Sequence, residues 1–248
     1  MFLWDGTIIL IIPAFLLALY AQWKVKSAFA RYSQVQAHSG LTGAQVAQEL
    51  LRRANFAGGV DRADVRAAQG AAAKLAQVRV KMGEGTLTDH YDPRTKVLQL
   101  SPPVYGSNSL AALGVAAHET GHALQHATGY APLGIRSTLV PAAQIGSTLA
   151  IPLFLGGLIF AGSGLRILMD IGIWLYAAAV LFTLITLPVE FNASRRAVQL
   201  LQGEGFIDSS EVAGTKAVLN AAALTYVAAA AMAVMTLVRL LILRNSRD

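Results

Sequence analysis

The stretch His118-Glu119-Thr120-Gly121-His122 lies within Leu110–Thr128, a segment that we predict to be helical. In a helix, residues four positions apart lie on one face, separated by about 6 Å along the axis. The two imidazoles can therefore bind one tetrahedral Zn²⁺, and Glu119 is placed to reach a water held by the metal. The surrounding residues are apolar, and a metal offsets the cost of burying the imidazoles. This H-E-x-x-H pattern is typical of zinc-dependent peptide hydrolysis.

The composition indicates a membrane protein rather than an ordinary soluble domain. Of the 248 residues, 54% are hydrophobic and 14% are charged, whereas typical globular domains are about 25% charged. The mean hydropathy is +0.50. The chain has no cysteine, which excludes disulfides, thiolate metal ligands and a cysteine nucleophile. The net charge is +6, but we find no basic patch interleaved with aromatic residues and therefore expect no nucleic-acid partner.

Four apolar segments are long enough to cross a bilayer, which takes about 20 mostly apolar residues. They are Gly6–Trp23, Leu139–Ala161, Ile167–Val189 and Ala222–Leu243. For the middle pair, a buried helical hairpin in a soluble core is the alternative. We predict a mainly α-helical, multi-span membrane protein with about four transmembrane helices and a zincin-like metalloprotease domain that carries a small β element.

These segments divide the chain into five parts. We expect an uncleaved transmembrane anchor at 1–23, the zincin-like domain at 24–137, a transmembrane hairpin at 138–189, a segment supplying the third zinc ligand at 190–221, and a C-terminal transmembrane helix and tail at 222–248. Most of the 20 Lys and Arg residues lie in the two polar parts, which four spans would place on one side of the membrane. Because cytoplasmic loops are enriched in Lys and Arg, we predict a multi-pass protein of the inner cell membrane with a cytoplasmic active site.

The large polar part has the patterns of a small mixed domain. Turn residues separate its strands, and His90 lies in the turn before the second strand. The predicted elements are an amphipathic helix from Thr42 or Gly43 to about Ala54, an Ala-rich helix over Asp61–Leu75, and strands at Val78–Met82 and Thr95–Ser101.

A catalytic zinc usually has three protein ligands, so one further residue is needed. His126 continues the four-residue spacing, but each step turns about 40° around the helix, which makes a third imidazole hard to aim. Asp170 loosely resembles the Asp of intramembrane site-two proteases, although we expect a helix-end charge near Arg166. Glu190 is the strongest candidate because it follows the third span and lies, by span count, on the same side as His118.

The segment that follows Glu190 favours close contact with another helix. Positions 190, 193, 194 and 197 share one helical face, and the residues beside the carboxylate are small. Such a face allows the helix to approach the His118 helix closely.

Two stretches resemble a known family. His118–His126 (HETGHALQH) and Pro188–Ala197 (PVEFNASRRA) are similar to the YugP-type neutral zinc metallopeptidases of bacterial membranes, and the resemblance covers most of the chain. That family is more distantly similar to HtpX-like membrane proteases, which use H-E-x-x-H and a downstream Glu. The resemblance implies one Zn²⁺ per chain held by His118, His122 and Glu190, with Glu119 as the general base.

Further residues are candidates for positioning or substrate binding. In HtpX-like proteases the fourth position after the Glu is usually an Asp that orients a ligand histidine, whereas this chain has Ser194, a weaker acceptor. His126 and Arg196 lie near the predicted site in the sequence. Val97 and Leu98 would bind substrate if the second predicted strand were an edge strand that pairs with an extended peptide; a purely structural strand is the alternative.

We therefore expect a membrane-embedded zinc endopeptidase whose partners are a protein or peptide substrate and the lipid bilayer. Small residues such as Gly156 and Gly157 would also permit a homo-oligomer. Two alternatives stay open at this point: a non-catalytic membrane scaffold or transport component with structural zinc or none, and an intramembrane site-two-type protease.

Overall fold

The computed structural model describes residues 6–57, 65–160 and 164–246. The start of the predicted Ala-rich helix, 61–64, and Ala161 at the end of the second predicted span lie outside these ranges. Helices dominate the described chain, which confirms the expected mainly helical fold. They are α1 Ile12–Tyr32, α2 Gly43–Ala57, α3 Val65–Leu75, α4 Pro102–Tyr105, α5 Leu110–Ala127, α6 Ala131–Ile159, α7 Ile167–Gly203 and α8 Val212–Asn245.

The small β element is a three-stranded sheet of β1 (Arg79–Met82), β2 (His90–Asp92) and β3 (Val97–Leu100). The strand order is β1-β3-β2, with β3 parallel to β1 and antiparallel to β2. The placement of His90 in a turn was wrong, because His90 pairs with Gln99 in β2. β2 is only three residues long, too short to display an alternating pattern.

The predicted role of β3 as an edge strand is also wrong. β3 is the central strand, so both of its hydrogen-bonding edges are occupied by β1 and β2. An extended peptide therefore cannot add to the backbone of Val97 and Leu98, and the Leu98 side chain is 0% exposed. The sequence pattern identified a strand here but could not reveal its position in the sheet.

The described chain forms two compact units. The first contains 1–22, 134–188 and 224–248, and the second contains 23–133 and 189–223. The division into five parts made from the sequence stays a prediction.

The second unit has a continuous hydrophobic core that surrounds α5. Leu50 of α2, Leu98 and Leu100 of β3 and Leu113 of α5 are all fully buried in it. α5 begins after Ser109, whose hydroxyl accepts a hydrogen bond from the Ala112 backbone N–H at 3.2 Å. Two residues after its end, Gly129 adopts a positive φ of 67°, which glycine tolerates best. The helix with the H-E-x-x-H pattern is thus fixed in place by the core and by its own ends.

The first unit supplies the apolar helices. Among the described residues, α6, α7 and α8 are long and apolar enough to cross a membrane. The predicted N-terminal span, Gly6–Trp23, is not one continuous α-helix. Residues 6–10 form a 3₁₀ turn, and α1 begins at Ile12. Three membrane-crossing candidates are therefore established, and the fourth span stays a prediction.

Within the first unit, α6 and α7 approach each other closely at glycines. A Cβ atom added to Gly146 would lie 2.6 Å from the carbonyl oxygen of Leu175, and one added to Gly157 would lie 2.5 Å from the backbone nitrogen of Met169. Gly157 therefore serves a contact inside one chain. Asp170, at the start of α7, accepts a hydrogen bond from Arg244 Nε of α8 at 3.0 Å. The Asp170 carboxylate therefore forms an ion pair with Arg244.

Candidate metal centre

Two helices bring three potential metal ligands together. α5 carries His118 and His122 on one face, one turn apart, and α7 carries Glu190. The Glu190 Oε2 atom lies 3.2 Å from His118 Nε2 and 3.5 Å from His122 Nε2. Within the described ranges, this is the only group of three such side chains whose ligand atoms all lie within 4.8 Å of one another.

The close approach of the two helices depends on Gly121, inside the H-E-x-x-H stretch. A Cβ atom at this position would lie 2.7 Å from the carbonyl oxygen of Ala193 and 3.2 Å from its Cα. α5 and α7 therefore meet backbone to backbone, next to His122 and Glu190. The small-residue face at 190–197 therefore makes the close approach to the His118 helix that the sequence predicted.

Hydrogen bonds at the Nδ1 atoms fix the two imidazole rings on the side away from Glu190. His118 Nδ1 lies 3.1 Å from Ser194 Oγ, and His122 Nδ1 lies 3.0 Å from Gln125 Oε1. The Nε2 atoms of both rings therefore face Glu190. Hydrogen bonding of the rear nitrogen is usual for histidines that bind a metal through the other one.

The three side chains fit a catalytic zinc site. Two imidazoles and one carboxylate are a donor set that catalytic zinc sites use, with a fourth position left for water. The Glu190 side chain is 2% exposed, and the His118 and His122 side chains are 14% and 11% exposed. A carboxylate buried this deeply needs a positive partner, which a metal ion held between the three groups would supply.

The charged groups around His122 favour its protonated form, with which a bound metal would compete. Burial is the largest single influence on the pKa of His122, and it lowers that pKa. The hydrogen bond to Glu190 and the negative charges of Glu119 and Glu190 together outweigh burial, so the pKa of His122 is raised overall. Metal ions displace protons from their ligands, so acid should oppose metal binding at this site. Glu119 itself is buried, with 8% of its surface exposed.

Two histidines considered from the sequence lie outside the group. His126 Nδ1 lies 2.9 Å from the Tyr91 hydroxyl on β2, and burial, together with Lys74 and Lys96, lowers the pKa of His126. His90 is exposed and its Nδ1 lies 2.8 Å from the Thr88 carbonyl oxygen. Neither imidazole joins the three converging ligand atoms among the described residues.

Arg196 is linked to the site through two other side chains, Asn192 and Gln125. Its Nε donates a hydrogen bond to Asn192 Oδ1 at 2.8 Å, and its guanidinium carbon lies 5.8 Å from the centroid of the Tyr130 ring. Asn192 in turn accepts a hydrogen bond from Gln125 Nε2 at 3.0 Å.

The sequence reasoning missed Gln125 and Asn192. Gln125 is fully buried, and it lies three residues after His122, on the same side of α5. A lone amide between Leu124 and His126 in an otherwise Ala- and Leu-rich helix was the available signal. Its role depends on Val189 and Asn192 of α7, and the sequence did not show that their oxygen atoms lie beside the Gln125 amide.

Replacing Gly121 with Ala should weaken metal binding. The added methyl group overlaps the Ala193 backbone, so α7 must move away and carry Glu190 from the two imidazoles; overpacking of this kind costs about 1–3 kcal/mol. We expect the purified variant to retain much less zinc per chain than the wild type, as measured by elemental analysis after dialysis. Gly114→Ala on the same helix is the control, because its Cβ would meet Thr215 Cγ2 at 3.4 Å and Leu219 Cγ at 4.0 Å, both ordinary contacts. Full zinc occupancy in Gly121→Ala would contradict the argument.

Comparison with known proteins identifies a zinc metallopeptidase family. Residues 7–245 match the model of a family described as "Putative neutral zinc metallopeptidase". The chain is 46% identical over 242 residues to the "Putative membrane protease YugP" of Bacillus subtilis (strain 168), covering 97% of this chain and 98% of that protein. No solved structure matches the chain. The chain therefore belongs to this neutral zinc metallopeptidase family, which is the family that its sequence resembles.

Proposed function

We propose that this protein is a membrane-embedded, zinc-dependent endopeptidase with His118, His122 and Glu190 as the zinc ligands. The observation that carries the proposal is the convergence of the two Nε2 atoms on Glu190 Oε2, at 3.2 and 3.5 Å, in a buried site. Membership of a zinc metallopeptidase family supports the choice of metal and of reaction.

Zinc bound to these ligands would lower the pKa of a water molecule to about 7 and polarise the scissile carbonyl group. Glu119 follows His118 directly in α5, and its carboxylate would take a proton from that water and give it to the leaving amine. Ser194 and Gln125 hold the rear nitrogens of the two imidazoles, which keeps both Nε2 atoms directed at the metal position.

For the membrane topology, we propose four crossings, with α1 joining α6, α7 and α8. α1 carries a run of exposed apolar residues, which suits contact with lipid. They are Ile12, Phe15, Leu16, Leu19 and Tyr20. The Lys and Arg bias of the two polar parts favours a cytoplasmic active site in the inner membrane. A peptide substrate and the bilayer are the proposed partners, and a homo-oligomer stays a prediction.

The two alternative functions have less support. An intramembrane site-two-type protease would need Asp170 as a zinc ligand. The Asp170 carboxylate instead pairs with Arg244, and the group of converging ligand atoms found among the described residues does not include it. A scaffold with structural zinc has no need of a carboxylate at Glu119, and a closed structural site would have four protein ligands rather than three.

Glu190→Gln should lose zinc and activity together. The neutral amide is a weaker zinc ligand than the carboxylate and no longer offsets the charge of the metal. We expect zinc per chain and casein cleavage in detergent to fall in parallel. Glu204→Gln, which removes a carboxylate 3.7 Å from Arg53, is the control and should leave both unchanged. An unchanged zinc content in Glu190→Gln would exclude Glu190 as a ligand.

Glu119→Gln should keep zinc but lose turnover. The amide cannot accept the proton of the attacking water, and loss of a general base typically costs about 10²–10⁴-fold in rate. Casein cleavage would be measured beside zinc content, with the exposed Glu84→Gln as the control. Retained cleavage in the Glu119 variant would refute the role of this residue, whereas loss of zinc would point to a structural one.

The topology can be tested by cysteine labelling, since the chain has no cysteine of its own. Glu84→Cys and Ser209→Cys place single thiols at exposed positions of the two polar parts. A membrane-impermeant reagent should label neither in intact cells and both after the cells are opened. Labelling of either position from outside would contradict the cytoplasmic assignment.

A further inference from the structure

Gln125 occupies an unusual place beside the candidate metal centre. Its side chain is 0% exposed and lies between α5 and α7. Its Oε1 lies 3.0 Å from His122 Nδ1, and its Nε2 lies 2.8 Å from the Val189 carbonyl oxygen and 3.0 Å from Asn192 Oδ1. One amide thus contacts the second histidine and the backbone of the residue just before Glu190.

The chemistry of these partners determines which way the amide of Gln125 points. A backbone carbonyl such as that of Val189 can only accept hydrogen bonds, so the group facing it must be the NH₂ of Gln125. The other side of the amide, facing His122, is therefore the carbonyl oxygen.

A second partner leads independently to the same orientation. The Arg196 guanidinium can only donate, and its Nε is 2.8 Å from Asn192. The atom of Asn192 that receives this bond must therefore be Oδ1. Because Gln125 contacts that same oxygen, it must donate to it. The cation at Arg196 thus fixes Asn192, and Asn192 helps to fix Gln125.

The orientation of Gln125 in turn determines the state of His122. An amide oxygen accepts, so His122 Nδ1 must carry a proton and donate it. The ring then has only Nε2 available to bind a metal, and this nitrogen faces Glu190 at 3.5 Å. The same amide holds α7 at Val189, so it fixes the distance between the second ligand and the third.

We propose that Gln125 is a positioning residue that fixes the protonated nitrogen of His122 and ties the Glu190 segment to the histidine helix, with Arg196 and Asn192 fixing Gln125 in turn. The inference rests on the proposed zinc site and assigns Arg196 a role through two other side chains rather than in contact with substrate. Groups that orient metal ligands typically contribute 10–100-fold to metal affinity.

The test is a comparison of Gln125→Leu with Gln199→Leu, which makes the same change at an exposed position of α7. Zinc affinity of the full-length protein in detergent would be measured by competition with a chelator. The His122 Nδ1–H would be followed by ¹⁵N NMR of histidine-labelled protein, where a buried, hydrogen-bonded proton exchanges slowly. We expect Gln125→Leu to bind zinc about 10–100-fold more weakly and to lose the slow Nδ1–H signal, and Gln199→Leu to match the wild type in both.

A second pair of variants keeps the test informative if Gln125→Leu does not fold. Asn192→Asp retains an oxygen that accepts from both Arg196 and Gln125, whereas Asn192→Leu removes it. We expect zinc affinity and the Nδ1–H signal to stay closer to wild type in Asn192→Asp than in Asn192→Leu. Equal behaviour of these two variants would contradict the network.

The outcomes separate this inference from the proposed function. Wild-type zinc affinity in Gln125→Leu, or a persistent Nδ1–H signal in it, would overturn the role of Gln125 while leaving the zinc site intact. If the wild-type protein itself bound no zinc, the proposed function would fail, and the Nδ1–H signal alone would then decide whether Gln125 fixes His122.

Discussion

The contact between the backbones of α5 and α7 at Gly121 and Ala193 is the constraint on which the candidate site depends. A helix with a side chain at position 121 could not come this close, since its Cβ would lie 2.7 Å from a carbonyl oxygen. The Glu190 carboxylate reaches both imidazoles only because the helix axes can approach at this point. The glycine between the two histidines is thus as much a part of the site as the ligands.

Burial is the second condition, and it follows from the first. Close packing removes water from Glu190, His122 and Gln125, and each of these polar side chains must then find a partner inside the protein. The structure meets this need with a chain of hydrogen bonds from Arg196 through Asn192 and Gln125 to His122. Such networks restrict side chains to one arrangement, because every alternative leaves a donor or an acceptor unpaired.

The apolar helices also pack through glycines, but their surroundings are lipid rather than water. α6 and α7 meet at Gly146 and Gly157, where small residues allow backbones to touch. Many large aliphatic and aromatic side chains of the first unit, among them Ile145, Trp174 and Leu181, remain exposed. In water such a surface would be a liability, whereas in lipid it costs nothing. Packing by small residues is how helices associate where the hydrophobic effect cannot drive them together.

The sequence by itself determined the local part of this picture. The four-residue spacing of His118 and His122 places two imidazoles on one helical face whatever the rest of the chain does, because helical geometry is local. Apolar segments of sufficient length predicted α6, α7 and α8 in the same way, and the small residues after Glu190 indicated a face for close packing. What the sequence could not supply was the atomic detail of that contact, such as the approach of Gly121 to the Ala193 backbone.

Tertiary structure alone decided the rest. His118 and Glu190 are far apart along the chain, and only the packing of α5 on α7 brings their side chains to 3.2 Å. The order of the strands made β3 central rather than an edge, since pairing partners are chosen by long-range contacts that a short alternating pattern does not encode. Gln125 was an ordinary helical residue until Val189 and Asn192 were placed beside it. A polar side chain acquires a role from its neighbours, and those neighbours are fixed by the fold.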